Sequence, residues 1–199
     1  MTIPTITAEA EASRSLLFRT LGAHRTAVAN QPATDPQRRL GDVVDDRKQI
    51  QCQATLLRLL SITESFCAER LLVEVEQVVS PPRSQTVANL WDDAAVMATK
   101  GWDDQKRAYK QWLGVEPDWK PVDRLAEARN AVAHGLGSLT RRQRRNAQSA
   151  KAKIEEAGIA MAGDQVALSD EALATAAAAC RRVIEEVDLA VQQRPPQYR

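Results

Sequence analysis

With 199 residues, 27% charged and 44% apolar, the chain has ordinary globular composition and enough length for one well-buried core. A net charge of +1 excludes a protein that holds nucleic acid by bulk charge alone, and no run of about 18 apolar residues is present to span a membrane. Cys52, Cys67 and Cys180 form no metal-ligating spacing, and an odd cysteine count without a secretory leader fits a reducing, cytoplasmic setting.

Frequent alanine, sparse glycine and scattered β-branched residues favour helices, so the expected fold class is all-α. The first helix runs from about Ala8 to Asn30, with a partial apolar face at Leu16, Leu17, Leu21 and Val28, and Pro32 and Pro36 mark a loop after it. A long helix follows from about Gln37 to Val79, loosened near Gly41 and stopped by Pro81-Pro82. Its stripe reads Ile50, Ala54, Leu57, Leu60, Glu64, Cys67, Leu71, Val75, Val78, and a second set, Leu59, Ile62, Phe66 and Val73, lies on the other side. Glu64 in the middle of an apolar stripe needs a partner, and Arg129 is the candidate.

Ser84 caps a helix to about Thr99. Asp103 and Asp104 then suit the positive start of a helix carrying Trp102, Tyr109, Trp112 and Leu113 and ending at Gly114. Pro117 and Pro121 bracket a loop with Trp119, and Trp91, Trp102 and Trp112 are read as helical core. The next helix opens at Pro121 and stops at Gly135. Thr140 caps a basic helix to about Ala157, and the Gly163-Asp164 pair between 159 and 168 suits a small hairpin or an extended loop. Ser169 caps the last helix, with a regular stripe Leu173, Ala177, Cys180, Ile184, Val187, Val191 and a short tail after it from 194.

The most informative segment is Arg129-Asn130-Ala131-Val132-Ala133-His134 before Gly135. Leu125, Ala128 and Val132 form the buried edge of its helix; Arg129 sits beside that edge, and Asn130 and His134 share another face. Arg129 and His134 diverge by about 140° on a straight helix, which points to a distorted helix end or a second copy completing the site. No Asp or Glu occurs from Ala128 to Ile154, where Arg129, Arg141, Arg142, Arg144, Arg145, Lys151 and Lys153 fall, so this window is the polyanion-binding candidate. His24, the other histidine, is expected at the surface, and neither cofactor nor metal is expected.

The stretch EARNAVAHG resembles the Arg-x4-His signature of the HEPN superfamily of small helical domains. LLSITESFCAERL is similar to its long helix with an inward polar residue, KGWDDQKRAYKQWLG to the aromatic helix of the RiboL-PSP-HEPN branch, and LSDEALATAAAACRRVIEEVD to its C-terminal helix. The resemblance covers most of the chain from about Arg47. It implies one HEPN-like domain over 1–199, with 1–36 an N-terminal helix and loop, built as a bundle around one long helix. It further implies a homodimer whose motifs share a cleft, metal-independent RNA cleavage, and a role as a toxin or in antiviral defence with a partner antitoxin or defence protein. The arginine falls on Arg129, the polar partner on Asn130, the histidine on His134, and the long-helix polar residue on Glu64. A toxin branch carries a tyrosine two residues after the histidine; Leu136 stands there, so modification of such a tyrosine does not carry over. The alternative, since a fold does not fix a function, is a catalytically silent helical scaffold that binds a partner protein or nucleotide.

Overall fold

The computed structural model describes residues 5–30, 47–78 and 84–195. Among the described residues the protein is all-α with one small hairpin. In chain order come α1 (Ala8–Ala29), α2 (Arg47–Val78), α3 (Gln85–Thr99), α4 (Trp102–Ala108), α5 (Lys120–Gly135), α6 (Arg141–Arg144), α7 (Ala147–Glu156), β1 (Ala160–Ala162), β2 (Gln165–Ala167) and α8 (Asp170–Gln192). The expected loop at Pro32 and Pro36, the first turns of the long helix with Gly41, the Pro81-Pro82 stop and the residues after Pro195 lie outside the described residues. No helix among the described residues is long and apolar enough to cross a membrane.

The chain forms two compact units, one of Met1–Arg14, Ser61–Trp119 and Arg181–Arg199, the other of Ser15–Leu60 and Lys120–Cys180. α1, α2 and α8 each contribute one part to each unit.

In the first unit, Ser84 accepts from the Val87 N–H and starts α3 as its sequence predicts. α4 runs on into a single wide π turn, Tyr109–Leu113, closed by Gly114 at φ 65°, a left-handed conformation that favours glycine. The Tyr109 hydroxyl donates to the Cys67 carbonyl at 2.7 Å, and burial, aided by the negative fields of Cys67, Asp188 and Glu74 against that of Arg70, holds this phenol well above its ordinary pKa. Trp91 packs on Trp112 (5.9 Å between rings), while Trp119 packs on Trp102 and Tyr109, so the loop tryptophan joins the aromatic cluster as well. Asp188 is fully buried and accepts from the Thr7 N–H and hydroxyl, Arg70 Nε and Gln192; Arg70 and Arg194 both also pair with Glu74.

In the second unit, α5 buries Leu125, Ala128 and Val132, as its spacing predicts, and Val122 and Ala131 with them. β1 and β2 pair antiparallel around Gly163-Asp164, with Met161 opposite Val166. The Lys151 ammonium bonds to the Asp164 carboxylate and holds it below the ordinary pKa. The Ser169 hydroxyl caps α8 through the Ala172 N–H. All six residues of the α8 stripe are buried across the two units.

Four expectations change. On α2 the buried residues are Cys52, Thr55, Leu56, Leu59, Leu60, Ile62, Thr63, Phe66, Cys67, Leu71 and Glu74, whereas Ile50 and Val73 are exposed. The buried arc runs between the two apolar sets because it includes polar side chains whose bonds are satisfied: Thr55 donates to the Gln51 carbonyl and Glu74 pairs with two arginines. The basic helix is two helices, interrupted at Arg145-Asn146, where Asn146 leaves helical dihedrals at φ −137° and ψ 58°. α5 ends through Leu136 at φ 52° and Gly137 at φ 90°, with Gly135 still helical. His24 is buried, on a face it shares with Ala10 and Leu17 at seven-residue spacing, with Thr55 3.0 Å from its Nδ1 and Asp170 3.4 Å from its Nε2.

Candidate active site

α5 carries Asn130 and His134 on the side away from its apolar edge, with Arg129 beside that edge. Arg129 and Asn130 are half-buried and His134 is exposed in the last turn. After His134 the chain reverses: the Gly137 N–H bonds the Ala131 carbonyl at 3.1 Å, and the Val166 N–H of the hairpin bonds the Gly137 carbonyl at 2.8 Å. A Cβ on Gly137 would meet the Gln53 amide at 2.6 Å, so this position is glycine for space as well as for φ.

The Arg129 guanidinium lies 3.3 Å from Asn130 Oδ1 and 3.4 Å from His134 Nε2. The two side chains therefore converge within one chain, although their positions diverge by about 140° on a straight helix. The backbone positions do diverge around the helix, but helical side chains lean toward the N-terminus, so His134 covers the preceding turn. The long arginine stem then carries its planar fork around to meet it. A guanidinium has only donors, so it faces the Nε2 lone pair and leaves the imidazole proton on Nδ1. A cationic fork and a basic nitrogen thus stand within reach of one phosphodiester at an exposed helix end.

The arginine run lies beside this helix. Thr140 and Gln143 form a reciprocal capping box that fixes the start of α6. Gln143 is buried in the middle of the run, and its amide donates to the Glu127 carbonyl and carboxylate of α5 at 2.8 and 2.9 Å. That bond ties α6 to the motif helix two residues before Arg129. Arg141, Arg142, Arg144 and Arg145 are exposed, and none has an ion-pair partner among the described residues. Lys151 and Lys153, by contrast, pair with Asp164 and Glu127, so the positive character of the window concentrates in its arginines. The tether through Gln143 was not read from the sequence; the Thr-x-x-Gln capping pattern was its one local signal.

Glu64 belongs to the first unit and is half-buried, with its backbone carbonyl 3.5 Å from Gln105 Nε2. A half-buried carboxylate keeps water and needs no dedicated counter-charge. Arg129, Asn130, His134 and the arginine run share the second unit, and Glu64 lies in the first. An apolar groove between α3 and α4, lined by Ala94, Met97, Ala98, Arg107 and Trp112, is a separate feature of the first unit. The group of side chains suited to a metal ion, His24, Cys52 and Asp170, shares no residue with the motif.

No known protein family, curated protein or solved structure matches the chain.

Proposed function

We propose that the protein is a metal-independent endoribonuclease of HEPN type. The observation that carries the reading is the convergence of Arg129, Asn130 and His134 at an exposed helix end beside four arginines. RNA contains its own nucleophile, the 2′-hydroxyl, so the protein must move protons and stabilise charge. Imidazole is the side chain suited to moving protons near neutral pH, and once the Arg129 fork turns to the phosphate His134 takes the 2′-proton on Nε2. The new O2′–P bond forms as the P–O5′ bond breaks, leaving a 2′,3′-cyclic phosphate and a 5′-hydroxyl. The Arg129 fork neutralises the phosphorane oxygens, and Asn130 holds the fork. Arg141, Arg142, Arg144 and Arg145 track the flanking phosphates.

One chain supplies one imidazole to this site. The proton for the 5′-oxygen leaving group then comes from a second copy or from water, and we assign it to His134 of a homodimer, in keeping with the family resemblance. A toxin or defence role, with a cognate partner protein, follows from the same resemblance. The test is cleavage of mixed RNA by wild type, Arg129→Ala and His134→Ala in chelator, with circular dichroism to establish that the variants fold. Both variants are expected to lose at least about 100-fold in rate, the range of one proton-transfer or charge-stabilising group. Equal activity, or none in wild type on diverse RNAs, rejects the enzyme.

A second reading has its own support. Val87, Leu90 and Met97 of α3 form a stripe at helical spacing and are all exposed. A scaffold that docks a partner would use such a face, and an inactive wild type that still captures a partner through α3 would favour it.

A further inference from the structure

His24 of α1, Cys52 of α2 and Asp170 at the start of α8 come together in the second unit, with one ligand atom of each within 4.8 Å of the others. His24 is 2% exposed and Cys52 fully buried; the Asp170 side chain opens to solvent.

The hydrogen bonds around His24 fix its tautomer. The Thr55 hydroxyl donates its one hydrogen to the Gln51 carbonyl at 2.8 Å. It must therefore accept from His24 Nδ1–H, 3.0 Å away. In the neutral ring this leaves a lone pair on Nε2, aimed at Asp170 Oδ1 at 3.4 Å. Two acceptors that face each other need a cation between them. A proton would draw the pair to about 2.7–2.9 Å, the length of a charge-assisted hydrogen bond. Two ligands of one tetrahedral zinc, bonded at about 2.0–2.2 Å, stand roughly 3.3–3.5 Å apart. A separation of 3.4 Å leaves room for the second arrangement, and Cys52 supplies a soft third donor within 4.8 Å of both. Thr55 then has the part of an outer hydrogen-bond partner that orients a ligating histidine.

We infer that His24 Nε2, Cys52 Sγ and Asp170 Oδ1 bind one zinc-class transition-metal ion, with water as the fourth ligand. Binding releases the Cys52 thiol proton to solvent, and the thiolate, carboxylate and imidazole balance the divalent ion to zero net charge. The ion joins α1, α2 and the start of α8, so its role is to fix the packing of the second unit, apart from the chemistry of His134. Lys48, whose ammonium lies 3.7 Å from the same Asp170 oxygen, is the competing cation; its side chain is half exposed and can swing into solvent.

The experiment is a titration of the full-length, chelator-stripped and reduced protein with cobalt(II), followed by displacement with zinc. Wild type is expected to saturate at one ion per chain with a thiolate-to-cobalt charge-transfer band in the near ultraviolet and the visible bands of a tetrahedral ion. Cys52→Ala loses the charge-transfer band, Cys180→Ala keeps it, and His24→Gln binds at least about 100-fold more weakly. Asp170→Asn, a half-exposed position expected to leave the fold intact, weakens binding and removes the rise in melting temperature that zinc gives wild type. A wild type without the band at millimolar cobalt, or an Asp170→Asn variant that binds as wild type does, overturns the inference and leaves the histidine–aspartate pair holding a proton alone. Because chelator strips this ion while cleavage of RNA continues, the metal site and the ribonuclease can fail independently.

Discussion

Replacing Asp188 by alanine tests the buried ion cluster of the first unit. The carboxylate is fully buried and accepts four hydrogen bonds, from the Thr7 N–H at 2.7 Å and from the Thr7 hydroxyl, Arg70 Nε and Gln192 at 2.9 Å each. These fill its lone pairs. Two carboxylates, Asp188 and Glu74, balance two guanidiniums, Arg70 and Arg194, so removing one leaves a net positive charge among side chains that are about one-tenth exposed. Summing about 1.5–3 kcal/mol for each charged hydrogen bond overshoots, because Thr7 and Gln192 are only half-buried and regain water. Breaking a buried pair by removing one partner costs about 3–5 kcal/mol, and that is the expected loss for Asp188→Ala. At roughly 2–4 °C per kcal/mol for a chain of this size, the melting temperature falls by about 6–20 °C. Asp188→Asn, which keeps the shape and part of the acceptor set, loses less. Urea unfolding followed by circular dichroism measures both, and a loss below about 1 kcal/mol for Asp188→Ala would refute the reasoning.

Tyr109→Phe strands the Cys67 carbonyl and is expected to cost about 1–3 kcal/mol in urea unfolding. Because the Tyr109 pKa is raised in the fold, its contribution is complete below the ordinary tyrosine range and is lost as pH rises from that range toward the raised value. A spectrophotometric titration at alkaline pH should show this tyrosine ionising only with unfolding; early ionisation of every tyrosine contradicts the burial. Leu136 and Gly137 should respond with opposite sign. Leu136 is 91% exposed at φ 52°, so Leu136→Gly relieves left-handed strain and stabilises by about 0.5–1 kcal/mol, whereas Gly137→Ala adds strain and a contact with Gln53 and costs about 1–3 kcal/mol by thermal melting. Replacing Arg141, Arg142, Arg144 and Arg145 together should lower the slope of log affinity for single-stranded RNA against log salt by roughly 2–3, at about 0.7 per phosphate contact; an unchanged slope removes the run from the interface.

Most of the helical fold was legible in the sequence, since apolar spacing, Ser84, Thr140 and Ser169 as caps, and the Gly163-Asp164 turn all act locally. What escaped was decided by polar side chains with distant partners. Thr55, Thr63 and Glu74 lie on the buried arc of α2, so a search for apolar residues places that arc on either side of its true position. His24 reads as surface until Thr55 and Asp170 are brought to its ring. For the same reason no spacing rule finds His24, Cys52 and Asp170 as a set. The motif residues were chosen by type and order, and the helical wheel, which treats each side chain as a radial spoke, missed the convergence of Arg129 with His134. The interruption at Arg145-Asn146 has no glycine or proline to announce it.

The ribonuclease assignment rests most directly on the ends that cleavage leaves. RNA incubated with wild type in chelator should be cut to fragments with 2′,3′-cyclic phosphate and 5′-hydroxyl ends, read by end-specific ligation or mass spectrometry, and His134→Ala of equal fold should leave it intact. Intact RNA with wild type, 5′-phosphate ends, or undiminished cutting by His134→Ala would contradict it.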